Sequence, residues 1–130
     1  MSGAPAHVVL DTNAILLPFT DGTDLEGELQ RLAGVSMVVV PTCVLMELDQ
    51  ISRRGDQVGR AAKMAKKYAT RFKTEETRLT GDDGILEVAR RLGAAVATND
   101  RVLQAECVRS GLQVIVSREI GRLSWRRSGS

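Results

Sequence analysis

Short apolar runs with no polar alternation constrain this chain most. They are "HVVL" at 7–10, "VSMVVV" at 35–40, "AAVAT" at 94–98 and "LQVIV" at 112–116. Such runs mark strands buried on both faces of a sheet. The segments between them carry helical spacing instead. Leu25, Leu29 and Leu32 share a face within 24–32, and Val44, Leu45, Leu48 and Ile51 share one after Thr42, which can cap that helix. Val58, Ala62, Ala65, Ala69 and Phe72 line a helix over 56–73. Further helices are expected over 82–92, stopped by Gly93, and over 100–109, stopped near Gly111. The stretch 74–84, "TEETRLTGDDG", reads as a loop with at most one strand-like bend. Strands separated by helices join through right-handed crossovers into a parallel sheet. In such sheets a ligand site lies beyond the carboxyl ends of the strands.

Length and charge narrow the reading. With 130 residues and 43% apolar content, one domain is expected, spanning 1–117 and followed by a basic, flexible tail at 118–130. Cys43 and Cys107 form no C-x-x-C pair and read as reduced packing residues of a cytoplasmic protein. The first ten residues, "MSGAPAHVVL", lack the basic and apolar regions of a signal peptide, and no run reaches the ~18 apolar residues of a membrane span. Aromatics, at 3%, are too few for a base-stacking surface. The net charge is only +2, yet nine basic residues stand against three acidic ones between Arg53 and Arg78.

Two strands end on acids. Asp11 follows "VVL" and Asp100 follows "VATN", so both belong on one rim of the sheet. Glu47, one and a half turns into a helix after the second strand, and Asp82, with Asp83 beside it, opening a later helix, are placed to join them. Each has a plainer role available: a turn residue for Asp11, a helix cap for Asp100, first-turn acids for Asp82 and Asp83, a solvated helix position for Glu47. The functional argument rests on the set. Clustered carboxylates repel, and a divalent cation removes the conflict. Oxygen-only ligands suit Mg²⁺ or Mn²⁺, and with one histidine, His7, zinc chemistry is not expected.

From Val8 to Val116 the chain resembles a PIN-domain nuclease, in both its toxin (VapC-like) and its archaeal rRNA-processing branches. The resemblance is carried by Asp11-Thr12-Asn13, by Glu47 in "PTCVLMELDQI", and by "GDDGILEVARRLGAAVATND" with Asp82 and Asp100. It implies a three-layer α/β/α fold around a central parallel sheet of about five strands. It implies a metal-dependent endoribonuclease that cuts RNA by water attack, with Asp11, Glu47, Asp82 and Asp100 catalytic and metal-bound and Asp83 assisting. Asn13, Thr98 and Asn99 would orient those acids. Family members commonly form homodimers, and a toxin would have an antitoxin partner. The exposed stripe of Arg60, Lys63, Lys67 and Arg71 becomes a surface for tracking RNA backbone. Asp82 fits the third acidic position by spacing better than Asp83.

Other acid-rim proteins fit less well. A haloacid-dehalogenase-type phosphatase needs a second acid at position 13, which is Asn. A phosphorylation receiver needs a lysine on a late strand, and the last lysine is Lys73. No G-x-x-x-x-G-K-[ST] loop is present. A catalytically inactive scaffold that binds RNA or a protein partner is the remaining alternative.

Overall fold

The computed structural model describes residues 4–34 and 37–127. In chain order the elements are β1 (His7–Leu10), α1 (Thr12–Thr20), α2 (Leu25–Ala33), β2 (Met37–Pro41), α3 (Thr42–Ser52), α4 (Gln57–Ala69), β3 (Lys73–Glu75), α5 (Gly81–Leu92), β4 (Ala95–Ala97), α6 (Arg101–Arg109), β5 (Val114–Glu119) and β6 (Arg122–Trp125). The strands form one sheet in the order β3-β2-β1-β4-β5-β6, flanked by the helices in a PIN-like α/β/α arrangement. All neighbours pair in parallel except β5 and β6. The sheet therefore has six strands rather than about five, and it is mixed.

The central strands are the unbroken apolar runs. Val8, Val9, Leu10, Val39, Val40 and Val96 are wholly buried, as a parallel sheet covered on both faces requires. Positions 35 and 36 of the expected second strand lie outside the described residues. The register Val9↔Val39 and Leu10↔Ala97 aligns the carboxyl ends of β1, β2 and β4. Among the described residues no helix is long and apolar enough to cross a membrane.

Three elements differ from expectation. Helix α1 follows β1 directly. Its residues are apolar on nearly every side and Pro18 lies inside it, which removes both the helical stripe and one ladder donor. Strand β3 is three polar residues paired to β2; a short, charged strand is how a sheet edge discourages further pairing.

The third is β6. Residues 118–125, expected as the start of a flexible tail, complete β5 and turn back through Gly121 at φ 80°. Helix α2 holds this hairpin. The Leu123 amide donates to Glu28 Oε1 at 2.9 Å, and Arg31 Nη2 donates to the Leu123 carbonyl at 2.6 Å. The Leu123 side chain is buried in the core. Tail residues 128–130 lie outside the described residues.

Leu123→Ala is expected to cost about 2–5 kcal/mol in urea unfolding, the usual range for a buried leucine. An unchanged midpoint would return these residues to the status of a tail.

Candidate active site

The acids reach the carboxyl rim by four different routes. Asp11 follows β1 at once and caps α1: its amide donates to the Ala97 carbonyl at 3.2 Å, and its Oδ1 accepts from the Ala14 amide at 2.7 Å. Asp100 caps α6 in the same way after β4, with Oδ1 accepting from the Val102 and Leu103 amides at 2.9 and 3.1 Å. A carboxylate suits the orphan amides of a helix start. Because β1 and β4 pair, the two caps stand side by side.

Glu47 comes from α3, and the Thr12 hydroxyl donates to its Oε1 at 2.5 Å. Asp82 comes from the first turn of α5. That helix sits close to α3: a Cβ on Gly84 would lie 2.7 Å from Cys43 Sγ and 2.7 Å from the Leu79 carbonyl. Glycine at 84 thus lets α5 approach far enough to carry Asp82 towards Glu47.

The acids lie near enough to repel one another in pairs. Asp11, only 5% exposed, has its carboxyl pushed up to about 6. Burial is the main cause; the Thr98 side chain and the Ala14 amide pull down, and Asp82 and Asp100 add repulsion. Asp82 is also raised, by burial first and then by Asp100, Glu47 and Asp83. Among the described residues none of Asp11, Glu47, Asp82, Asp83 or Asp100 forms an ion pair. Nor are three of them gathered closely enough to hold a metal ion as they stand. The donor set, all carboxylate oxygen and uncompensated by any cation, fits a hard divalent ion in chemistry; the side chains would have to close in around it.

The doubled acid divides by direction. Asp82 shares the field of Asp100 and Glu47. Asp83 lines a separate surface hollow with Leu86, Glu87 and Arg90.

The three residues expected to orient the acids have different fates. Thr98 interacts with Asp11, and its Oγ1 accepts from the Asp100 amide at 3.0 Å. Asn99 instead ties β4 to β5: its Nδ2 donates to the Ser117 carbonyl at 2.9 Å and its Oδ1 accepts from the Ser117 amide at 2.8 Å. Asn13 is exposed, and the bonds that Asp11, Glu47 and Asp100 make among the described residues are to other partners. Thr12, which sequence reasoning passed over, does bond to one. No local pattern could have found it, because its partner lies 35 positions away.

Arg60, Lys63 and Lys67 on α4, and Arg71 just past its end, are exposed. Arg71 is already engaged, with Glu26 at 3.1 Å and over the Tyr68 ring at 5.7 Å. His7 begins β1, at the opposite end of that strand from the acids. The buried thiols lie apart in function too: Cys43 is raised and Cys107 is pushed up to about 11, chiefly by burial.

The chain belongs to the PIN-domain nuclease family: the model of the PIN-like domain matches residues 8–120. Over 108 residues it is 31% identical to ribonuclease VapC9 of Archaeoglobus fulgidus, a match covering 82% of this chain and 78% of that protein. The fold is similar to that of the PIN domain endonuclease Utp24, with a TM-score of 0.74 at 26% identity over 96% of this chain and 94% of the other. It is also similar to VapBC2 from Rickettsia felis bound to a DNA fragment from its promoter, with a TM-score of 0.61 over 92% and 99% of the two chains. At 14% identity that last likeness shows the fold alone.

Asp11 binds its proton more tightly folded (about 6) than unfolded (3.8). It therefore favours the native state below pH 3.8, and this contribution is lost as pH rises through 6. In metal-free buffer at pH 7.5, Asp11→Asn is expected to be more stable than wild type by up to about 3 kcal/mol, with the difference vanishing near pH 4. Urea unfolding at both pH values measures it.

Proposed function

We propose that this protein is a divalent-metal-dependent endoribonuclease. The observation that carries the reading is the set of four acids from four parts of the chain, with Asp82 repelled by Asp100 and Glu47, Asp11 repelled by Asp82 and Asp100, and no ion pair to any of them among the described residues. Asp11, Glu47, Asp82 and Asp100 would hold Mg²⁺ or Mn²⁺; Asp83 faces elsewhere. Such an ion supplies Lewis acidity towards a phosphoryl oxygen and a water of lowered pKa. The chain's own part is orientation. The Ala14 amide and Thr98 fix Asp11, the Val102 and Leu103 amides fix Asp100, and the Thr12 hydroxyl fixes Glu47.

RNA as the substrate is supported by the likeness to a named ribonuclease at 31% identity. Against an inactive scaffold stands the set: helix capping accounts for Asp11 and Asp100 but not for Glu47 and Asp82 beside them. Two biological roles remain compatible with this chemistry. One is a toxin held in check by an antitoxin protein; the other is a nuclease of ribosomal RNA maturation. A homodimer suits either, and so does a cytoplasmic location.

Cleavage of a labelled structured RNA tests the reading, with Mn²⁺, Mg²⁺ or EDTA present. Wild type is expected to cut only with metal, and Asp11→Asn or Asp100→Asn to lose more than about 1000-fold in rate. Thr12→Val, which frees Glu47, is expected to lose about 10–100-fold. Mn²⁺ should raise the melting temperature of wild type and leave that of Asp11→Asn unchanged. Equal cutting by wild type and Asp11→Asn would sink the site. Expression without a partner separates the roles: growth arrest marks a toxin.

A further inference from the structure

The nuclease reading leaves an electrostatic problem. Its substrate is a polyanion, and its site is a set of acids. A phosphate chain must be held by positive charge at the margin of that set. The structure offers a groove lined by the two chain neighbours of Asp100, Asn99 and Arg101. It runs between α6 and the β5–β6 hairpin, and its walls carry Arg101, Arg118 and Arg126 with Asn99, Gln104 and Ser117.

Three features set this groove apart from a solvated charge stripe. First, it adjoins the site along the chain: Arg101 directly follows the metal-site candidate Asp100, and Asn99 directly precedes it. Second, its walls are fixed to Thr98, the residue that accepts from the Asp100 amide. Gln104 Nε2 donates to the Thr98 carbonyl at 3.2 Å, and Gln104 Oε1 accepts from Arg126 Nε at 3.2 Å. Asn99 clamps Ser117 through both amide atoms. A hydrogen-bonded relay thus runs from the residue beside Asp11 and Asp100 out to Arg126. Third, Arg101 and Arg118 are exposed and pair with no carboxylate among the described residues, so their guanidinium groups are open to an incoming anion.

Size agrees. The groove encloses about 550 Å³, within the roughly 300–1,000 Å³ that takes a small organic ligand. A hollow on the other side of Asn99, floored by Leu17, Ile115 and Leu123, has only about 30 Å³ and holds no more than about one water.

We infer that the Arg101–Arg118–Arg126 groove is the phosphate-backbone subsite for single-stranded RNA leaving the acids. The inference rests on the nuclease reading and moves the main backbone contact from α4 to the hairpin side. Arginine suits the task because its planar fork matches phosphate oxygens. Backbone contacts of this kind position a strand without reading its sequence.

Fluorescence anisotropy with a labelled ten-nucleotide single-stranded RNA, in EDTA to prevent cutting, tests it on the full chain. The double variant Arg101→Ala/Arg118→Ala is expected to bind about tenfold or more weakly. Its plot of log affinity against log salt should be shallower by about 1.4, or 0.7 for each lost phosphate contact. The charge-matched double variant Arg53→Ala/Lys73→Ala should stay within about twofold of wild type. Arg101→Lys/Arg118→Lys should recover most of the salt slope, which a purely structural role would not predict. If wild type binds and cuts while the groove variant keeps the same affinity and slope, the subsite is wrong and the nuclease stands. If wild type neither binds this RNA in EDTA nor cuts RNA with Mn²⁺, the nuclease reading falls and takes the subsite with it.

Discussion

The pairing of β1 with β4 is the interaction on which the rest of the site depends. Leu10 lies opposite Ala97, and the next amide, that of Asp11, is still bonded to the Ala97 carbonyl. Beyond them β1 gives way to α1 after one residue, Asp11, and β4 gives way to α6 after three, ending at Asp100. A side chain there must satisfy orphan amides, and an aspartate does so while leaving one oxygen free. The same two acids therefore lie past paired strands, cap a helix each and repel one another. A slip of one residue in this register would turn each side chain to the other face of the sheet. It would break the caps and the site together.

Burial gives that arrangement its chemical character. Asp11 sits at the start of α1 and beside Thr98, shielded from water, with repulsion from Asp82 and Asp100. The polypeptide thus holds a carboxylate where charge is unfavourable. Functional sites often carry such local costs, which the surrounding packing must overdetermine. Here the packing is supplied by the wholly buried valines of β1 and β4.

Much of this was legible in the sequence, for identifiable reasons. The apolar runs of β1, β2 and β4 can only be strands covered on both sides, and their order with the helices fixes the parallel sheet. Helix α1 was not legible, because Ala14 to Phe19 show no polar face and Pro18 reads as a breaker. Strand β3 is Lys-Thr-Glu, which takes its conformation from β2 rather than from its own residues. Strand β6 depends on Glu28 and Arg31, about 90 positions earlier in the chain. The four acids were legible as a set. The choice between Asp82 and Asp83 is a matter of helix facing, about 100° for adjacent residues, which spacing favoured but packing decides. The assignment of Asn99 to orienting an acid failed because its amide had a closer use, joining two strands.

The glycine at 84 leaves a lone sulfur in an unusual position. Cys43 stands where α5 presses on α3, and Cys107 is sealed on α6. Neither thiol ionises readily, and neither is open to reagent in the native state. Each can be alkylated only when its helix lifts away. The protein therefore carries two intrinsic clocks: the rate at which Cys43 takes up a thiol-specific label reports separation of α3 from α5, and the rate at Cys107 reports lifting of α6, the helix that Asp100 caps. Their ratio distinguishes local breathing of one wall of the site from unfolding of the whole chain.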